Sequence, residues 1–385
     1  MTHNSSQLTA MLWETEERLI HGLVSLPPAQ HRSCSLSRGV PDRWLLASAL
    51  QKCIRRGLHA EAVEVAAALH AMDAEYAWRR LRVIALEDVG LGNIERVSAV
   101  LAIAGKRRVR DAFGDLRLLT ATAHSLSVGL KDRTACDLLR IGCSPEAASF
   151  RSTLLEAPLR WEPLALDERA PVWRRVVALQ LLAGLTERTR AGYRTLSRAN
   201  PHAVLRVVEA LKPHPLVAYA VVRGKGTESL NVALLFAHLL RESTDHRPIV
   251  SRVEEIQNCP RIGGLIAPTF CMYTRVGLRA LRTFLCGDAE LRATLRNAGA
   301  NNGFEALGLL LFQVESGLLD RAEDYAHQVR IEAERAELMA IGIGDDAAGA
   351  TLRMLVRCHL PMLNKARRAA WRAYLTDAKV SGAAI

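Results

Sequence analysis

The chain is poor in the features that mark most catalytic or secreted proteins. Aromatic residues make up only 5% of its 385 positions. A core of ordinary size must therefore be built from Leu, Ala, Val and Ile, which suits close helix-on-helix packing. Lysine is confined to Lys52, Lys106, Lys131, Lys212, Lys225, Lys365 and Lys379, so the formal charge of +11 is carried almost wholly by arginine. The eight cysteines form no CxxC and no Cys–His cluster with zinc spacing, and they read as reduced thiols, with no disulfide framework and no metal site. No uninterrupted apolar run reaches the ~18 residues of a membrane span. The N-terminus lacks the basic start and apolar stretch of a signal peptide, which sets the expectation of a cytoplasmic protein.

Catalytic motifs are missing too. There is no HExxH and no GxSxG. The two Gly-Lys steps, at Gly105-Lys106 and Gly224-Lys225, lack the upstream glycine and following Ser or Thr that a phosphate-cradling loop needs. Asp345-Asp346, in a glycine-rich turn, reads as a helix cap. The expectation is no catalytic residue, no cofactor and no enzymatic activity.

Helical periodicity is what the sequence does contain. The spacing predicts helices over 7–24, 43–56, 59–72, 74–87, 94–104 and 107–127, with Asp73 and Asn93 as N-caps and Gly57, Gly90 and Gly92 as stops. Further helices fit 172–185, 186–199, 202–212, 215–223, 227–241, 269–285, 288–298, 303–317 and 319–338. A last helical region, 346–378, should kink or split at Pro361. Strand signals are weak, and no repeat of fixed period supports a regular solenoid. The fold class expected is all-α, built of stacked helical hairpins. Its domains would be an N-terminal helix and linker (1–42), a helical domain (43–156), and a second helical region (157–385) with a sub-boundary near 242–268.

Residues 47–93 carry a resemblance. Ser48-Ala49-Leu50-Gln51-Lys52-Cys53-Ile54-Arg55, the Ala-rich helix from Glu61 to Met72, and Arg79-Arg80-Leu81 leading through Ile84-Ala85-Leu86 to Glu87-Asp88-Val89-Gly90 occur in that order. Together they resemble the C-terminal region of the MgsA/RarA family of replication-associated recombination proteins. The resemblance implies a clamp-loader-type helical collar, self-association, and a replication or repair setting. That family's ATPase module should precede the stretch, yet only residues 1–42 do, without a phosphate loop. In plain physical terms, Glu87 and Asp88 sit unfavourably at a helix C-terminus. Pairing with Arg79, Arg80 or Arg55 would offset this, which makes Lys52, Arg55, Arg79, Arg80, Glu87 and Asp88 candidate structural or oligomerisation residues.

Three basic groups are candidate nucleic-acid contacts. Lys106, Arg107, Arg108 and Arg110 form the densest run. Arg275, Arg279 and Arg282 fall on one helical stripe. Lys365, Arg367, Arg368 and Arg372 interleave with Trp371, the composition used on single strands. No recognition-helix or zinc-finger pattern is present, so binding would be independent of sequence. The leading expectation is a non-enzymatic DNA replication or repair accessory protein that oligomerises or docks through its collar-like domain and binds nucleic acid through arginine clusters. The alternative is a phage- or plasmid-type interaction protein that modulates a host DNA-processing or defence complex.

Overall fold

The computed structural model describes residues 2–28, 42–142, 144–189, 192–195, 200–225, 227, 229–243, 250–252, 259–323 and 326–380. Over these residues the protein is all-α. The N-terminal series is α1 (Thr2–Val24), α2 (Arg43–Arg55), α3 (His59–Met72), α4 (Ala74–Ile84), α5 (Ile94–Ala104), α6 (Arg107–Phe113) and α7 (Asp115–Val128). Then come α8 (Thr134–Ile141), α9 (Pro145–Leu155), α10 (Trp161–Leu166), α11 (Val172–Leu182), α12 (Pro201–Leu211), α13 (Pro215–Arg223) and α14 (Leu230–Ser243). The C-terminal series is α15 (Arg275–Gly287), α16 (Ala289–Asn297), α17 (Gly303–Leu311), α18 (His327–Ala340) and α19 (Asp346–Val380).

Local chemistry explains the boundaries. Asp73 and Asn93 accept the backbone N–H groups of Tyr76 and Arg96, so both expected caps are present. Asp345 likewise accepts from the Ala347 N–H at the start of α19. Alanines at 62 and 66 are fully covered on α3, which packs against both α2 and α7 as stacked hairpins. One apolar core runs from Leu12 through to Trp371, and a second cluster from Leu281 to Leu363 joins α15, α16, α17 and α19.

The structure corrects several expected helices. Residues 107–127 are two helices, because Gly114 takes a φ of +86° between them, in the left-handed range that glycine tolerates. The described part of the helix expected over 186–199 is an antiparallel strand pair instead, β1 (Leu185–Thr189) with β2 (Gly192–Thr195). Gly184, with φ +85°, ends α11, and the threonines and Tyr193 that follow favour a pleated chain. Two shorter pairs, β3 (Val250–Arg252) with β6 (Arg321–Glu323) and β4 (Arg261–Ile262) with β5 (Leu265–Ile266), complete the strands among the described residues. The strand at 321–323 delays α18 to His327, whereas helix was expected from 319. Pro361 does not split the last helix: α19 runs continuously over 35 residues, with Pro361 on its exposed side. Residues 29–41 of the expected linker, and residues 244–249 and 253–258 of the 242–268 segment, lie outside the described residues.

Two helices end in a widened π-turn. One spans Ala85–Val89 after α4, and the other Phe312–Ser316 after α17. Such turns re-aim side chains that a regular helix would point elsewhere. Here they bring Asp88 and Glu315 inward among buried arginines.

Candidate nucleic-acid interface

The basic residues picked out by sequence divide sharply by burial. Arg367 has 0% exposure. Its guanidinium is paired with both carboxylate oxygens of Glu315 and donates to Asn364 Oδ1 at 2.9 Å and to the Phe270 carbonyl at 3.2 Å. Arg110 is only 1% exposed, tied to Glu75 at 2.5 Å and Asp115 at 3.4 Å and lying over the Trp78 ring. Trp371 is buried against Phe270, with Tyr374 stacked on it and the Gly263 backbone pressed close to its indole. These three face the interior and present no surface to a phosphate or base, contrary to the sequence expectation. The cause is the same each time: a partner distant in sequence and invisible to local pattern. Lys106 is half-buried and paired with Glu16 of α1.

The remaining candidates are outward. Arg107, Arg108, Arg275, Arg279, Arg282, Lys365, Arg368 and Arg372 are exposed. The α15 stripe exists as spaced, with Arg282 over the Phe304 ring and Arg279 bridged at 3.2 Å to Asp377 of the packed α19. The basic sides of α15 and α19 are therefore joined by an ion pair.

A further cluster was not singled out by sequence. Asp42 caps α2, accepting from Trp44 N–H at 2.8 Å, which leaves Arg43 and Trp44 on the first, outward turn. Trp44, 51% exposed, meets Tyr76 edge-on at 5.5 Å. The Arg43 guanidinium lies over both rings, at 5.4 and 5.2 Å, and Arg79 lies over Tyr76 at 5.6 Å. Burial raises the Tyr76 phenol above its ordinary range, against the pull of Arg80, Arg43 and Arg79. Tyr374 is likewise raised by burial, with Asp42 adding to the effect and Arg275 opposing it. The Asp42 carboxylate thus raises both phenols. Tyr273, 70% exposed, precedes the α15 stripe. The available signal was the adjacency of Arg43-Trp44 to a capping Asp, and the i, i+3 and i, i+4 spacing of Tyr76 with Arg79 and Arg80.

The Glu87–Asp88 pair is internal. Asp88 has 0% exposure and accepts from Arg55 Nε at 2.6 Å, from Arg133, and from Gln51 at 3.1 Å. Burial alone would raise its pKa, but Arg55 and Arg133 overrule that and hold the carboxyl below its ordinary range. Glu87 touches the same two arginines at 3.4 Å. Arg55 also donates to the Ser316 carbonyl, and neighbouring Arg56 to that of Glu315, so both bind the second π-turn. The Phe312 ring is flanked by Arg55, Arg133 and Arg140 at 5.0 to 5.6 Å. Arg55 is the partner anticipated by sequence. Arg80 binds Gln51 instead, Arg79 faces outward, and Arg133 was not foreseen. Lys52 is buried against Ser48 and Cys271. Buried Lys52, Arg55 and Asp88 hold the chain's own segments together and offer no surface for joining subunits.

Among the described residues, no group of three or more His, Cys, Asp or Glu is placed to hold a metal ion, and no helix is long and apolar enough to cross a membrane. Comparison of the chain with protein-family models, with curated proteins and with solved structures gave no match.

Proposed function

We propose that the protein is a non-enzymatic accessory factor that binds single-stranded nucleic acid without sequence preference, in a replication or repair setting. The observation that carries this reading is the aromatic and arginine surface around Asp42. Trp44 offers an exposed ring packed edge-on against the buried Tyr76, Arg43 and Arg79 offer cations over this pair, and α15 and α19 carry further exposed arginines. Single-strand binding needs this combination, because every base has a face to stack and every nucleotide a phosphate to neutralise. Arginine suits phosphate through its bidentate geometry. The collar-like resemblance of residues 47–93 supports docking into a multi-subunit assembly, with the α2–α4 helices as its scaffold.

The test is fluorescence anisotropy with labelled single-stranded and duplex oligonucleotides across a salt series. The expected result is preferential single-strand binding whose log affinity falls with log salt by roughly 0.7 per phosphate contacted. Trp44→Ala should cost about 1–3 kcal/mol of that affinity. Joint replacement of Arg275, Arg279 and Arg282 by Glu should flatten the salt slope. Absence of binding at low salt by the folded protein would overturn the reading and turn the search to a protein partner.

A further inference from the structure

Apart from this surface, one buried pair has chemistry that packing alone does not require. Lys52 projects from α2 with its Nζ 2.8 Å from Ser48 Oγ and 3.4 Å from Cys271 Sγ. Ser48 Oγ lies 3.6 Å from the same sulfur and donates to the Thr269 carbonyl at 2.9 Å. Cys271 is held in place by its backbone. Its carbonyl accepts from Thr274 Oγ1 at 3.1 Å, and Gly277 of α15 presses against the Cys271 main chain where any Cβ would collide. Both side chains line a cavity of about 60 Å³, bounded also by Gln51, Arg55, Tyr273 and Phe312. That space exceeds the roughly 10–15 Å³ needed to seat one water-sized molecule.

We propose that Lys52 and Cys271 form a redox-modification site, at which hydrogen peroxide drives a reversible covalent N–S crosslink between the two side chains.

The electrostatics suit the first step. Burial alone would raise the Cys271 pKa, but the Lys52 ammonium, the Tyr273 backbone and Ser48 bring it below its ordinary value, towards the reactive thiolate. Burial lowers the Lys52 pKa, which favours release of its proton. The Cys271 thiolate attacks one peroxide oxygen and the O–O bond breaks. The departing hydroxide takes a proton from the Lys52 ammonium and leaves as water. The products are a sulfenic acid and a neutral amine within reach of it. The amine nitrogen then attacks sulfur, the S–O bond breaks, and the hydroxide leaves as a second water with the amine proton. Sulfur is oxidised by two electrons and one peroxide is reduced to two waters. Condensation of a sulfenic acid with nitrogen is established chemistry, and a thiol reverses it. Cys53 and Cys136 lack this setting, and burial pushes both thiols up to about 12. The link would join α2 to the segment leading into α15, elements 219 residues apart in sequence. Nothing in this step depends on nucleic-acid binding.

The test is peptide mass spectrometry on the full chain, treated with hydrogen peroxide under native conditions and digested without reductant. The expected product is one linked species containing Lys52 and Cys271, lighter by two hydrogens than the sum of its peptides. Both parent peptides should be depleted in equal amount, and dithiothreitol should restore them. Cys53→Ser should leave the linked species unchanged, and Cys271→Ser should abolish it. Recovery of Cys271 reduced, or as an unlinked sulfinic acid with Lys52 intact, in the wild-type protein would overturn the proposal. That readout does not depend on any variant folding.

Discussion

Replacing Asp88 by asparagine is the sharpest test of the internal charge network. The carboxylate is completely covered and sits between two guanidinium groups that are themselves almost fully covered. The substituted amide would keep the shape and retain an oxygen able to accept from Arg55 or Gln51. It would leave Arg55 and Arg133 with a net positive charge in the interior and only the distant edge of Glu87 to balance it. At an effective dielectric near 20 and 2.6 Å, the direct Arg55 attraction alone is about 6 kcal/mol before desolvation is subtracted. Stranding a buried partner in this way typically costs about 3–5 kcal/mol. Glu87→Gln offers the internal control, because Glu87 is partly exposed and its contacts are long, so its loss should cost less than about 1 kcal/mol. Urea denaturation followed by far-ultraviolet circular dichroism measures both on one scale. Equal costs for the two variants, or an Asp88→Asn cost below about 1 kcal/mol, would refute the assignment of Asp88 as the centre of the network. The pH sign follows from the depressed pKa. Asp88 contributes stability above the ordinary carboxylate range, and this is lost as pH falls through its lower folded value. Wild type should therefore lose more stability than Asp88→Asn on acidification.

Two further outcomes separate interior from surface charge. Arg367→Met should destabilise the fold by several kcal/mol, on the order of 3–5, since it strands buried Glu315, whereas Arg368→Glu should leave urea stability nearly unchanged and weaken oligonucleotide binding. Equal stability of the two variants would contradict the burial pattern. Burial pushes the Lys131 ammonium down to about 8, against the pull of Asp320 and Asp88. Between that value and the ordinary ~10.4 the unfolded chain binds more protons, so Lys131 makes stability rise with pH, by at most ~1.4 kcal/mol per unit. Lys131→Met should remove this rise, and parallel stability curves for the two proteins from about pH 7.5 to 10.5 would reject the shift.

Much of the helical order was legible because it is local. Asp73, Asn93 and Asp345 cap where a short polar side chain precedes an apolar period, and Gly57 and Gly90 stop helices with positive φ. The failures share a different cause. The strands at 185–189 and 192–195 mix helix-compatible with strand-compatible residues, and they pair only once Gly184 has ended α11. Pro361 was expected to break a helix that in fact continues, with the proline on its exposed side. Local rules give the cost of a residue without showing what the surrounding packing offsets.

For the basic residues, the same limit decides function. Arg367 and Arg368 are neighbours in one cationic run, and no property of that run distinguishes them. One is closed over by Glu315, 52 positions earlier, and the other faces outward. Arg110 and Arg108 differ likewise, because Glu75 and Asp115 reach only the former. A run of arginines on a helix therefore overstates its own binding surface, since helical periodicity turns part of every run inward and an inward arginine must find an acceptor, a carboxylate for both Arg110 and Arg367. The two π-turns supply such carboxylates: Asp88 from one meets Arg55 and Arg133, and Glu315 from the other meets Arg367. The excess positive charge thus has two destinations. Part of it braces the joint between residues 52–140 and 312–367, and the rest stays on the surface with Trp44, where the proposed function would have it meet a polyanion. On that division, neutralising outward arginines should change binding without stability, and neutralising inward ones should change stability first.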